Sequence, residues 1–123
     1  MMYRNAGGVL EFVKNVFGAV ERMCHRDDAG NIRHCEFSIG DSMLMLAQET
    51  SAFPALRSVE AFGGSPVHVF LYMDDVDAVA ARAVAAGGTL RHPVEDKEYG
   101  RSCGIADPFG MMWWVTTPPQ PKS

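Results

Sequence analysis

At 123 residues, 47% of them hydrophobic, the chain is the size of one domain with a core of its own. Eleven Lys and Arg against fifteen Asp and Glu leave a net charge of −4, and the basic residues are scattered, which argues against a nucleic-acid partner and against an anionic membrane surface. Cys24, Cys35 and Cys103 form no Cys-x-x-Cys pair and read as reduced thiols; with no apolar run of membrane-spanning length and no basic-then-apolar leader, the expected location is cytoplasmic.

In chain order, residues 1–4 are a strand remnant and Asn5 is a helix N-cap. Val9, Phe12, Val13, Val16 and Phe17 recur at helical spacing despite Gly7 and Gly8, and Gly18 ends the helix. Residues 20–24 alternate weakly as a strand, and the polar run 25–31 reads as a turn. Residues 32–47 form a hairpin about Gly40-Asp41. Pairing Ile39 with Ser42 sets Ser38 against Met43, Glu36 against Met45 and His34 against Ala47, all on one face. Cys35, Phe37, Leu44 and Leu46 take the other, more apolar face, which should pack on the first helix.

Residues 48–65 lack periodicity and contain Pro54, Gly63 and Gly64, so they read as a long connection. Residues 67–73 are a strand with His68, Phe70 and Tyr72 on one face and Val67, Val69, Leu71 and Met73 on the other. Asp74 or Asp75 caps a second helix with a stripe of Val76, Val79, Ala80, Ala83 and Val84, and Gly87-Gly88 ends it. A short strand at 89–91, a charged loop at 92–100, a strand at 101–106, an Asp107-Pro108-Phe109-Gly110 turn and a last strand at 111–116 complete the pattern. Three prolines mark the end of the chain as irregular.

The order strand-helix-strand-strand-strand occurs twice, which predicts an α+β fold of two βαβββ modules. Curled mixed sheets would surround a cavity, and the first strand is truncated. The boundaries are module 1 at 1–50, a linker at 51–65, module 2 at 66–117 and a tail at 118–123, all in a single domain.

The candidate site follows from the faces opposite the helices. Met43, Met45, Phe70, Tyr72, Met112 and Trp114 would give an adaptable apolar wall for a flat, partly apolar ligand. His34, Glu36 and His68 share the cavity side. Together they have the composition of a two-histidine, one-carboxylate iron triad. Alternatively, Glu36 stands alone on a pocket wall as a catalytic base with a pKa raised by burial. Tyr99 and Arg101 flank Gly100 at the cavity mouth and could meet a polar end of the ligand. Trp113 faces the core, and Cys35 is inert on the helix side. No nucleophile elbow, P-loop or dinucleotide fingerprint is present.

The first helix (Asn5-Ala-Gly-Gly-Val-Leu-Glu-Phe-Val-Lys-Asn-Val-Phe-Gly-Ala), the run Val67-His-Val-Phe-Leu-Tyr-Met-Asp-Asp-Val-Asp and the closing Asp107-Pro-Phe-Gly-Met-Met-Trp-Trp resemble the glyoxalase/bleomycin-resistance (vicinal oxygen chelate) superfamily. The hairpin from His34 to Ser42 and the run from Glu98 to Gly104 are similar to its PhnB-like branch. The resemblance implies paired βαβββ modules, a homodimer and a small-molecule cavity. It also implies four strand positions for a divalent metal. The first lies upstream of this chain's start, the second falls on Met45, the third on His68 and the fourth on Trp114. Only His68 keeps a ligand, so no metal site and no cofactor are expected. The implied function is metal-independent binding of a small molecule. The alternative is a lyase, isomerase or dioxygenase-like enzyme using Glu36 and His68, with or without a divalent metal.

Overall fold

The computed structural model describes residues 1–119. A two-residue strand β1 (Met2–Tyr3) leads into helix α1 (Ala6–Phe17). The Asn5 side-chain oxygen accepts from the Gly8 N–H at 2.9 Å, and Gly18, at φ 67°, ends the helix, as the sequence predicts. Glycine costs about 1 kcal/mol relative to alanine inside a helix. Burial of Leu10, Phe12, Phe17 and four smaller residues along one face outweighs that, at roughly 1.5–3 kcal/mol for each large side chain. Gly8 also has a packing reason, because a β-carbon there would stand 2.9 Å from Phe109 Cζ.

Strands β2 (Val20–Arg26), β3 (Ile32–Ile39) and β4 (Ser42–Gln48) follow. The β3–β4 register sets Ile39 against Ser42, Ser38 against Met43 and Glu36 against Met45, as the Gly40-Asp41 turn predicts. β2 runs on to Arg26 instead of ending at Cys24, and its register against β3 shifts between Glu21 and Met23. The connection expected to be irregular contains a short helix α2 (Val59–Phe62). Ser58 starts it, accepting from the Ala61 N–H and donating its hydroxyl to Glu49, each at 3.0 Å.

The second half holds β5 (His68–Tyr72), α3 (Val76–Ala85), β6 (Thr89–Lys97), β7 (Gly100–Ala106) and β8 (Met112–Thr117). Asp75 caps α3 through the Ala78 N–H. Its buried face is Val76, Val79, Ala80 and Ala83; Val84, expected in that stripe, is 55% exposed. The charged stretch read as a loop is strand. β6 continues to Lys97 through two register shifts, with His92 opposite Gly104 and Glu95 opposite Ser102. Pro93 fits because β6 is an edge strand and the proline sits within an irregular rung.

The first sheet has the order β1-β4-β3-β2 and the second β5-β8-β7-β6, so each places its first strand parallel to its last. The first strand has two residues, against five in β5. β1 nevertheless sits in its slot, with Met2 beside Ala47 and Tyr3 beside Gln48. One hydrophobic core joins the helix-bearing faces of both sheets. Phe17 of α1 packs on Trp113 of β8 at 4.9 Å between ring centroids, and Arg82 of α3 donates twice to the Val16 carbonyl, at 3.1 and 3.0 Å. Tyr3 and Trp113 both donate to the buried Asp107 carboxylate, at 2.8 and 3.1 Å, and Asp107 also accepts from the Phe109 and Met111 N–H groups.

The faces bearing Met43 and Met45 on one sheet, and Phe70 and Tyr72 on the other, are left outside this core. These side chains are 51%, 52%, 48% and 72% exposed. The sheets are not closed around one hollow. Pro118 and Pro119 belong to no helix or strand, and the rest of the tail 118–123 lies outside the described residues. Among the described residues, no helix is long and apolar enough to cross a membrane.

Candidate functional site

The open face of the second sheet is organised around Trp114. On β8 it lies between Phe70 of β5 and Gly104 of β7. The indole lies across Gly104 toward β6: a β-carbon at Gly104 would be 2.7 Å from Trp114 Cζ3 and 3.0 Å from His92 Cδ2. Glycine is what lets the ring lie flat on the strand. His92 stacks beside it at 4.8 Å between centroids, and on the other side the indole N–H donates to His68 Nδ1 at 3.0 Å.

A cleft of about 240 Å³ opens beside this ring, bounded by His92, Pro93, Glu95, Lys97, Tyr99 and Ser102. Lys97 and Glu95 pair at 2.8 Å on its rim. The hydrogen bond and charge of the ammonium lower the Glu95 pKa, and the carboxylate raises that of Lys97 by the same two effects. Ser102, which lines the cleft, shares a 2.7 Å hydroxyl–hydroxyl hydrogen bond with the buried Thr116. The cleft thus offers an aromatic wall and a charged lip, a combination that suits a flat molecule with a polar end.

The open face of the first sheet carries His34 and Glu36, hydrogen-bonded at 2.9 Å and both part-exposed. Met45 is the β4 neighbour of Glu36, and Met23 its β2 neighbour. Glu36 is therefore paired with His34 and part-exposed, not a lone carboxylate on a pocket wall. Among the described residues, His34, Glu36 and His68 do not come together as a three-ligand group, so one chain does not assemble the predicted triad.

Of the remaining candidates, Phe70 and Tyr72 form an edge-to-face pair at 5.3 Å on β5, Tyr99 borders the cleft, and Met112 pairs with His68. Arg101, expected at the cavity mouth, is held by carboxylates. Its guanidinium grips Asp77 of α3 through two bonds, at 2.8 and 3.1 Å, and Asp96 at 3.0 Å. It fastens α3 to β7. His92, Glu95, Lys97 and Gly104 were missed, the first three because they sat in a presumed loop. Gly104 within a strand was the available signal, since such a glycine marks a close approach.

The Glyoxalase/Bleomycin resistance protein/Dioxygenase superfamily model matches residues 3–115. The chain belongs to this superfamily. An uncharacterized protein of Mycobacterium bovis is 32% identical over 117 residues, spanning 93% of this chain and 77% of that one. A gene product of Arabidopsis thaliana of known structure is 25% identical with a TM-score of 0.72, covering 94% of this chain and 90% of its own. A fosfomycin resistance protein of Listeria monocytogenes, solved in complex with manganese(II) and a dihydroxypropylphosphonic acid, has a TM-score of 0.71 at 17% identity, covering 97% of this chain and 88% of its own. At that identity the likeness is one of fold.

The superfamily's metal positions can be tested against these residues. The indole N–H can only donate, so His68 Nδ1 accepts, and the proton of the neutral imidazole sits on Nε2. Neither nitrogen then offers a free lone pair. The Trp114 indole has none to give, and the Met45 thioether is too soft for an oxygen-preferring ion. This donor set does not fit that metal.

Proposed function

We propose that this protein binds a small, flat, partly apolar molecule against Trp114 without help from a metal. The observation that carries the reading is the Trp114 indole itself. It is hydrogen-bonded to His68 and lines the cleft, and by the resemblance it takes the place of the superfamily's fourth metal ligand. Stacking on an aromatic face tolerates varied ligands and contributes about 0.5–1.5 kcal/mol beyond burial. His68 keeps the indole oriented, Tyr99, Phe70 and Tyr72 extend the wall, and Met112 lies beside His68.

On this reading the chain is one domain of two modules in the PhnB-like branch, and it works as a homodimer. A second copy's first sheet, with His34, Glu36, Met43 and Met45, covers the open face of the second and closes the pocket. The adaptable methionines would then oppose the aromatic wall. The three free thiols suit a cytoplasmic location.

The decisive experiment screens planar compounds by quenching of tryptophan fluorescence. Trp113 is fully buried and Trp114 is not, so Trp114 supplies the responsive signal. Binding should survive exhaustive chelation and fall at least about tenfold in Trp114→Ala. A ligand or turnover lost on chelation and restored by a divalent ion would sink the reading.

The His34–Glu36 hydrogen bond favours a second reading, an isomerase or lyase in which this pair moves a proton. Turnover that is abolished in Glu36→Gln, with ligand affinity unchanged, would select it.

A further inference from the structure

We propose that Glu21, Cys24 and Cys35 form a binding site for a thiophilic divalent cation of the zinc class at the outer edge of the first sheet. The three ligand atoms lie within 4.8 Å of one another. In a tetrahedral zinc site, with Zn–S near 2.3 Å, sulfur atoms stand about 3.8 Å apart. The observed separations exceed that spacing by about 1 Å at most.

The backbone brings the trio together. Cys24 and Cys35 are direct cross-strand partners on β2 and β3. Residues 21 and 24, three apart, would face opposite sides of a regular strand. The register shift between Glu21 and Met23 changes this: Glu21 sits opposite Phe37 and Cys24 opposite Cys35, both on the helix side, while Met23 sits opposite Glu36 on the open side. A bulge that re-aims a side chain in this way commonly marks a functional position. Lys14 of α1 holds Glu21 Oε1 at 3.2 Å, in the manner of an outer-shell partner that orients a ligand carboxylate.

Two cysteines and one carboxylate select zinc, cobalt or cadmium over magnesium, calcium or manganese, and leave a fourth position for water. Loading releases one proton from each thiol to solvent, and nothing is oxidised or reduced. Burial and the hydrogen bond with Cys24 push the Cys35 thiol up to about 12 in the empty site. The cation would tie β2, an exposed edge strand, to β3. The site lies on the helix side, away from the Trp114 cleft, and does not depend on the ligand proposed there.

The test titrates the full chain, kept reduced by a phosphine, with cobalt(II) and then zinc(II). One equivalent of cobalt should bring in a sulfur-to-cobalt charge-transfer band that zinc removes, and zinc should raise Tm. Cys24→Ser and Cys35→Ala should abolish the band, and Glu21→Gln should weaken cobalt binding at least about tenfold. Cys103→Ala should leave it intact. Glu21 is exposed and Cys24 is half-buried at the margin of the core, so their variants disturb the fold less than Cys35→Ala, and Glu21→Gln keeps the test open if Cys35→Ala does not fold. Absence of a one-equivalent band, its survival in Cys24→Ser, or parental affinity in Glu21→Gln would each overturn the site.

Discussion

Gly104 decides where Trp114 lies. In Gly104→Ala the new methyl group meets the six-membered ring of the indole at 2.7 Å, and two stiff rings, Trp114 and His92, must move. The expected result is a loss of about 1–3 kcal/mol in urea unfolding, as for overpacking elsewhere. The indole–His68 hydrogen bond should break as well, with a red-shifted tryptophan emission and weakened ligand binding. An unchanged spectrum and affinity would mean that the indole does not rest on this strand. Trp114 and His68 were both legible in the sequence as residues of the open face. Their hydrogen bond was not, because it depends on an indole lying flat over a glycine on the next strand.

Among elements, β1 is the most economical, two residues long and anchored by Tyr3. Tyr3 is fully buried and donates to Asp107, and burial together with that carboxylate raises its pKa well above the ordinary 10. In the folded state the phenol stays protonated, whereas in the unfolded chain it ionises near 10. The unfolded state therefore binds fewer protons above that pH, and stability falls as pH rises, by up to about 1.4 kcal/mol per pH unit. The buried thiols Cys35 and Cys103, pushed up to about 12 and about 11, add a similar fall that begins near 9. Tyr3→Phe should lose about 1.5–3 kcal/mol at neutral pH, the worth of a hydrogen bond to a charged group. Unfolding curves at pH 8 and pH 11 should then show a smaller alkaline loss in the variant than in the parent. Equal losses would remove Tyr3 from the explanation.

Periodicity made α1, α3 and the β3–β4 hairpin readable, because each has a buried stripe and a turn or cap residue at its end. β6 was misread for a physical reason: it is a charged edge strand, one way proteins discourage edge-to-edge pairing, and its proline sits in an irregular rung. The approach of Cys24 to Cys35 required the β2–β3 register, which the turn at 25–31 alone did not supply.

For the molecule as a whole, the consequence of packing both sheets through their helix sides is two uncovered apolar faces. Large contiguous apolar patches on a lone chain mark interaction surfaces. Light scattering should report twice the 13.5 kDa of one chain, and a Met45→Glu, Tyr72→Glu double variant should shift toward monomer. A monomeric parent would leave the open faces to ligand alone.

The same arrangement bears on what holds one copy together. Phe17 against Trp113, Arg82 on Val16 and Tyr3 on Asp107 all cross between the halves, while the covalent link at 51–57 is an exposed turn. Severing the backbone there should therefore not separate the two pieces. Fragments 1–53 and 54–123, produced together, should complement each other and elute as one species with native circular dichroism. This would make the connecting peptide a dispensable tether.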